Sequence, residues 1–311
     1  MLKGRVWLWV IMLVVTLIVS WLIQSVPGWF ESSDLHVQID IESDADFAQV
    51  IANQKIKKIK PILTSESPDL IITDKTGDIA GYTKYENYIS SPIIAWACGV
   101  SYEPNGFVQA PNVSNTYKLD LFTVLKAIED GKSWEDLGFS ENVINGPVTL
   151  YIPSPQCSYY NSVVELFRMT LSNGDAITDA NREEIEQRVN TIVGKCHQVA
   201  DVTQAIIDEY KNPSDTHKIF VGPEYIYKRG RDSAIGYGNE MRKQYRPVYF
   251  FKTVFVEASV FVKNDGDNVE LANKFVENMR QNKEFMSKTG WRVKNIEYDI
   301  WDVSNIYYKT P

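Results

Sequence analysis

Apolar and polar residues alternate from His36 to Ile41, with Val37, Ile39 and Ile41 on one face and His36, Gln38 and Asp40 on the other. That period of two predicts a strand with one buried face. Phe47, Val50 and Ile51 follow at helical spacing behind Ser43 and Asp44, which predicts a capped helix. Residues 55–60 are basic and read as a solvated connector, with cover of a sheet edge as the alternative. Residues 69–74 are apolar at their centre, the pattern of a buried parallel strand. Gly77 and Gly81 predict loops around a tyrosine-rich segment (Tyr82, Tyr85, Tyr88), and residues 93–100 predict another apolar strand behind Ser90-Ser91-Pro92.

Helical spacing dominates the middle of the chain. Leu119, Leu121, Phe122, Leu125 and Ile128 share one face of a helix that Gly131 closes, and Ser133-Trp134-Glu135-Asp136 opens a second, short one. Ile185, Val189, Ile192, Val193, Val199, Val202 and Ile206 predict one long amphipathic helix. Residues 218–221 are a short strand ending at Gly222-Pro223-Glu224-Tyr225, and residues 248–262 suit one bent strand or two consecutive ones. Leu271, Phe275, Val276 and Met279 predict a last helix before Gly290-Trp291-Arg292. Strand and helix signals alternate throughout, which predicts an α/β fold.

Ahead of all this, residues 6–23 contain no charge, Gly or Pro. As a helix they span about 27 Å, close to the hydrocarbon thickness of a bilayer. Trp7, Trp9 and Trp21 sit near the two ends, and the only nearby basic residues, Lys3 and Arg5, precede the run. The positive-inside rule then predicts a single-pass anchor with a cytoplasmic N-terminus and the bulk of the chain outside the cell membrane. A cleaved signal peptide is the competing reading, but the apolar run exceeds a usual signal core and its end offers poor cleavage sites. Pro27-Gly28 then forms a hinge.

A net charge of −8 and a pI near 5.1 argue against nucleic acid as a partner. Cys98, Cys157 and Cys196 are widely spaced, with no metal-ligating pairing. Catalytic motifs are missing too. Gly131-Lys132-Ser133 lacks the earlier glycine of a phosphate loop, Gly236-Tyr237-Gly238 lacks the third glycine of a dinucleotide fingerprint, and Cys196-His197 falls within a helical pattern. No catalytic residue, metal or cofactor is assigned; a hydrolase whose triad assembles from distant residues stays open as an alternative, but nothing in the sequence argues for an enzyme.

The candidate site centres on residues 146–160. Residues 148–152 read as a buried strand and Val163, Val164, Leu166 and Phe167 as a helix, joined by a Ser/Pro junction that either Ser154 or Ser158 could cap. Free backbone N–H groups and hydroxyls at such a junction are what open α/β sheets use to hold ligands.

The order Pro68-Asp69-Leu70-Ile71-Ile72-Thr73, Ser91-Pro92-Ile93-Ile94, Ser133-Trp134-Glu135-Asp136-Leu137, residues 148–158, Pro223-Glu224-Tyr225, residues 249–262 and Gly290-Trp291-Arg292 resembles the type 2 extracellular (periplasmic) solute-binding proteins of ABC transporters over roughly residues 60–295. The resemblance implies two α/β lobes joined by two crossing strands, with a small solute held between them. It implies a layout of anchor 1–27, first part of lobe 1 at 28–95, lobe 2 at 96–249, and a return strand and C-terminal helices completing lobe 1 at 250–311. The ligand loops it implies are Thr73 and Asp74, Ser90 and Ser91, the stretch carrying Ser154, Gln156, Ser158, Tyr159 and Tyr160, and Glu224 with Tyr225. Partners would be the solute and an ABC permease or another membrane protein.

Two features depart from the family pattern. Residues 27–68 hold one clear strand–helix unit where members usually open with two, and Tyr159 and Tyr160 stand where members often carry small residues. A degenerate binding fold serving as scaffold or sensor in a cell-envelope complex is therefore the alternative. For a ligand, Asp44, Asp46, Asp74 and Glu224 with Tyr82, Tyr85, Tyr159, Tyr160 and Tyr225 suit a cation or polyhydroxylated solute better than an oxyanion.

Overall fold

The computed structural model describes residues 33–41, 45–52, 59–75, 77–98, 108–109, 117–139, 145–172, 176–212, 218–233, 245–250, 253–281 and 289–293. The apolar run at 6–23, the Pro27-Gly28 hinge, Ser43, Asp44 and Gly236-Tyr237-Gly238 lie outside the described residues, as does the side chain of Asp46. Among the described residues no helix is long and apolar enough to cross a membrane.

In chain order, β1 (Ser33–Asp40), α1 (Ala45–Ala52), β2 (Ile59–Leu63), β3 (Leu70–Thr73) and β4 (Tyr82–Cys98) lead into β5 (Val108–Gln109), β6 (Tyr117–Leu119) and α2 (Leu121–Asp130). A 3-10 turn at Glu135–Leu137 precedes β7 (Tyr151–Pro153), α3 (Tyr160–Leu171), α4 (Asp179–Lys195), β8 (His197–Val199), α5 (Val202–Lys211), β9 (Phe220–Pro223) and α6 (Glu224–Ser233). β10 (Tyr245–Phe250), β11 (Phe255–Lys263), α7 (Val269–Gln281) and β12 (Arg292–Val293) follow.

β4 belongs to two sheets. Up to Pro92 it pairs with β11, and from Ile93 it pairs with β9 on one side and, from Ala95, with β10 on the other. The first sheet runs β2-β1-β3-β11-β4 with β12 on the far side of β4; the second adds β7 and β8 beyond β9, and β6 and β5 beyond β10. The chain thus passes between sheets inside β4 and again between β10 and β11. Where the two passages meet they are tied together: Ile93 N donates to Val254 O at 2.9 Å and the Thr253 hydroxyl donates to Ile93 O. One buried apolar cluster runs from Leu35 to Trp291 through both sheets.

The basic stretch supplies a strand rather than a plain connector: Ile59 and Lys60 begin β2, the edge strand beside β1. Pro61 inside it suits an edge, where an N–H is dispensable. Parallel strands ordinarily need a long, usually helical crossover, yet only residues 64–69 join β2 to β3. Stagger removes the need. β2 pairs with Ser33–Val37 of β1 and β3 with Val37–Asp40, so Leu63 and Leu70 both lie opposite Val37 and the chain steps across β1 without travelling back. Thr64 N to Val37 O and Asp69 N to His36 O fasten the step. Because β2 stops there, a concavity of about 490 Å³ opens between Gln38, Asp40, Ala48, Leu63 and Thr64.

Other expectations shift. Tyr82 opens β4 instead of standing in a loop. Leu119 ends β6, Asp120 caps α2 through Thr123 N, and Phe122 is exposed, so the buried face of α2 is Leu121, Val124, Leu125, Ala127 and Ile128. Gly131 is the left-handed C-cap of α2, which explains its glycine without any phosphate. The long helix is two helices: α4 stops at Lys195, β8 pairs parallel with β7, and Asp201 starts α5 by accepting from Gln204 N. Cys196-His197 therefore lies at a helix-to-strand junction, not on a helical face.

Candidate functional site

Register alone shows which strand ends converge. Thr73, the last residue of β3, lies opposite Ser259 at the middle of β11, on the side that leads back to Phe255 and Pro92, and Asp40 lies beside Thr73. In the second sheet Pro223, the last residue of β9, lies opposite Ile93, and Leu119 of β6 lies opposite Phe250. The carboxyl ends of the parallel strands in both sheets therefore point at the crossing, the position open α/β sheets use for ligands.

The predicted loop residues reach this region in different states. Thr73 is buried and its hydroxyl accepts from Lys75 N at 3.1 Å, with Asp74 half-buried next to it. Beyond β7, Ser154 and Tyr159 turn inward while Gln156 and Ser158 are exposed and Tyr160 packs half-buried against the core. Neither proposed serine caps α3; its N-cap is Tyr159, without a side-chain cap bond. Burial pushes the Tyr159 phenol well above its ordinary range, with Cys157 adding to the shift, so it stays a neutral donor. The other helix starts of the second sheet carry their own carboxylates. Asp120 accepts from Thr123 N, Asp201 from Gln204 N, and Glu224 is in the first turn of α6.

At α6 the two sheets touch. Glu224 is almost fully buried; its Oε1 accepts from Tyr249 Oη at 2.9 Å and its Oε2 from Arg292 Nη2 at 2.7 Å. Tyr225, also buried, stacks on Trp291 and meets Tyr159 edge-on at 6.4 Å. Ser91, where β4 leaves the first sheet, donates to Gly290 O at 2.7 Å and accepts from Tyr225 N at 3.3 Å. Ser90 is buried between Glu257 of β11 and Arg292 of β12. Trp291 in turn rests on Phe47 of α1, ring centroids 5.7 Å apart.

Sequence reasoning missed four of these groups as parts of the site: Tyr249, Gly290, Trp291 and Arg292. Gly290-Trp291-Arg292 stood out as a motif, but nothing local ties it to a helix start some sixty-five residues earlier. Tyr82 and Tyr85 do not line this region. Tyr82, the first residue of β4, lies opposite Lys263 at the far end of the β4–β11 pairing from Pro92, and its hydroxyl donates to Pro68 O; the Tyr85 hydroxyl donates to Asn273 of α7. Among the described residues there is no cluster of metal-ligating side chains.

No family model matches the chain, and no curated protein matches it in sequence. Among solved structures it is similar to the sulfate-binding protein SubI from Mycobacterium tuberculosis, with a TM-score of 0.50 at 13% identity over 85% of this chain and 88% of that one. The chain has a type 2 periplasmic-binding-protein-like fold. Weaker likenesses carry nothing further. One is to a protein assigned as the substrate binding domain of a molybdenum ABC transporter from Clostridium difficile, with a TM-score of 0.46 at 10% identity over 84% of this chain and 99% of that one. Another is to a full-length OxyR variant from Pseudomonas aeruginosa, with a TM-score of 0.42 at 9% identity over 89% and 78%. In this chain β2 is followed by the direct, staggered step to β3 and not by a helix.

Proposed function

We propose that the chain is an extracytoplasmic solute-binding protein, tethered by residues 6–23, that takes a small solute between two lobes and hands it to an ABC permease or another membrane protein. The lobes correspond to 28–95 with 250–311, and to 96–249. The observation that carries this reading is the convergence of strand ends from both sheets on one crossing, made by a continuous β4 and the β10–β11 return. Candidate ligand groups there are Thr73, Asp74, Ser90, Ser91, Ser154, Gln156, Ser158, Tyr159, Tyr160, Glu224 and Tyr225.

A cation or a polyhydroxylated solute fits better than a free oxyanion. Helix N-termini attract anions, but Asp120, Asp201 and Glu224 already place carboxylates at three of them in the second sheet. The sulfate-binding relative of the fold would then differ from this chain in ligand class.

A thermal-shift screen of the full chain in mild detergent tests both points. A true ligand at a hundred times its Kd stabilises by about 2.7 kcal/mol. Amines or sugars raising the melting temperature is the expected result; phosphate, sulfate or molybdate doing so instead would overturn the ligand class. Silence from every solute would favour the second reading, a scaffold or sensor subunit. One observation supports that reading: Ser91, Glu224 and Tyr225 are already spent on partners within the chain.

A further inference from the structure

A receptor that closes on its ligand leaves groups of each lobe unpaired until the ligand arrives, and closure then reflects differential contacts in the two states. At the start of α6 this chain has the opposite arrangement. The Glu224 carboxylate is held at both oxygens, by Tyr249 from the second sheet and Arg292 from the first. The backbone N–H of Tyr225 donates to Ser91 Oγ, which itself donates to Gly290 O, so one hydroxyl joins the crossing strand, α6 and the β12 segment. The Tyr225 ring lies against Trp291, which packs on Phe47 behind it.

The backbones also meet. Gly290 has φ +81, and a methyl group on its Cα would sit 2.5 Å from Tyr225 Cα and 2.6 Å from Tyr225 N. Glycine is required twice over, for the left-handed conformation and for the close approach. The fit is between main chains and cannot be relieved by turning a side chain.

We propose that Ser91, Glu224, Tyr225, Tyr249 and the Gly290–Arg292 segment form a latch that locks the first sheet against the start of α6 through contacts made within the chain itself. Arg292 supplies, from within the chain, the cation that meets the Glu224 carboxylate, and Trp291 the aromatic face that meets Tyr225. Opening the cleft at α6 requires separating a buried ion pair, an aromatic stack and a shared hydroxyl together, so this edge moves as a unit or not at all. The latch stands on contacts inside the chain and does not depend on whether a solute binds.

Hydrogen exchange on the full chain, read by mass spectrometry without any solute, tests it. Slow exchange in the peptides covering 89–96, 224–233 and 289–293 is expected in the unaltered chain. Gly290→Ala should accelerate all three together, by roughly tenfold or more, while α2 and α3 keep their protection. Acceleration confined to 289–293, or none anywhere, would overturn the latch. Should Gly290→Ala loosen the whole chain, Glu224→Gln decides, since it keeps the side chain's size and leaves the glycine contact intact. Faster exchange at both 224–233 and 289–293 with α3 unchanged would support the latch; protection equal to the unaltered chain would sink it.

Discussion

The ring of Tyr225 lies flat on the indole of Trp291, with centroids 4.8 Å apart and planes within 2° of parallel. One ring comes from the start of α6 and the other from just before β12, so residues 66 positions apart in sequence share one stack across the two sheets. Aromatic pairs of this kind contribute about 0.5–1.5 kcal/mol beyond the area they bury. A double-mutant cycle with Tyr225→Leu and Trp291→Leu should give a coupling energy in that range from urea unfolding midpoints. Strict additivity would show that the two rings are merely neighbours.

Trp291 is also wholly buried against Phe47. Trp291→Ala should cost roughly 3–5 kcal/mol through the cavity left behind, and Trp291→Phe distinctly less. Circular dichroism melts of the two variants check the order.

α5 begins at Asp201, whose carboxylate accepts from Gln204 N at 2.9 Å. Asp201→Ala should lower stability by about 1 kcal/mol, whereas Asp201→Asn, which caps about as well, should be near neutral. Denaturant midpoints for the pair decide it; an alanine variant as stable as the parent would show that the cap is redundant.

That cap also shows where sequence reading stopped short. Asp201 followed three places on by Gln204 is an N-terminus signature, but the apolar spacing from Ile185 through Val202 to Ile206 continues across the break and masks it. β8 is only His197–Val199, and its place in the sheet comes from pairing with β7, which no local pattern reports. By contrast, β1 and the buried face of α7 follow the predicted periods closely because each buries one regular face, and β3 does so because it is buried throughout, as its unbroken apolar run reads. β2 was hidden by Lys60 and Pro61, which mark an edge strand as readily as a loop. For the site, the strand ends were legible at Thr73 and at Pro223 before Glu224, but Ser90-Ser91-Pro92, which read as the lead-in to a strand at Ile93, lies inside the unbroken β4. The Glu224 partners Tyr249 and Arg292 were not legible, because a long-range hydrogen bond leaves no trace in local spacing.

Arg188 forks onto Glu129, Nε to Oε1 at 2.7 Å and Nη2 to Oε2 at 2.9 Å, tying α4 to α2. That hydrogen bond is the main reason the Glu129 carboxyl is held below its ordinary range. A lowered folded-state value means the unfolded chain binds the proton more readily, so the pair's contribution is complete above the ordinary glutamate range, about 4.3, and is lost as pH falls below it. Both side chains are partly exposed, which limits the contribution to roughly 1 kcal/mol. Glu129→Gln should therefore lower stability at pH 7 by about that amount and narrow the gap to the parent as the pH is taken from 5 to 3. A gap that stays constant across that range would show that the glutamine loss is steric.

The proposed tether makes the last prediction. Residues 6–23 carry no charge, and Lys3 and Arg5 are the only basic residues near them. A segment of that length is sufficient to span the hydrocarbon core, and positive charge on its N-terminal side favours a cytoplasmic start. The full chain should therefore stay in the membrane fraction through a high-salt or carbonate wash, and protease added to intact spheroplasts should digest everything beyond the segment. Lys3→Glu with Arg5→Glu should reduce the fraction in that orientation, because the charge bias is then removed without touching the apolar run. Recovery of a soluble form whose N-terminus lies just after Ile23 would show instead that the segment is a cleaved signal, and protection from external protease would show the opposite orientation.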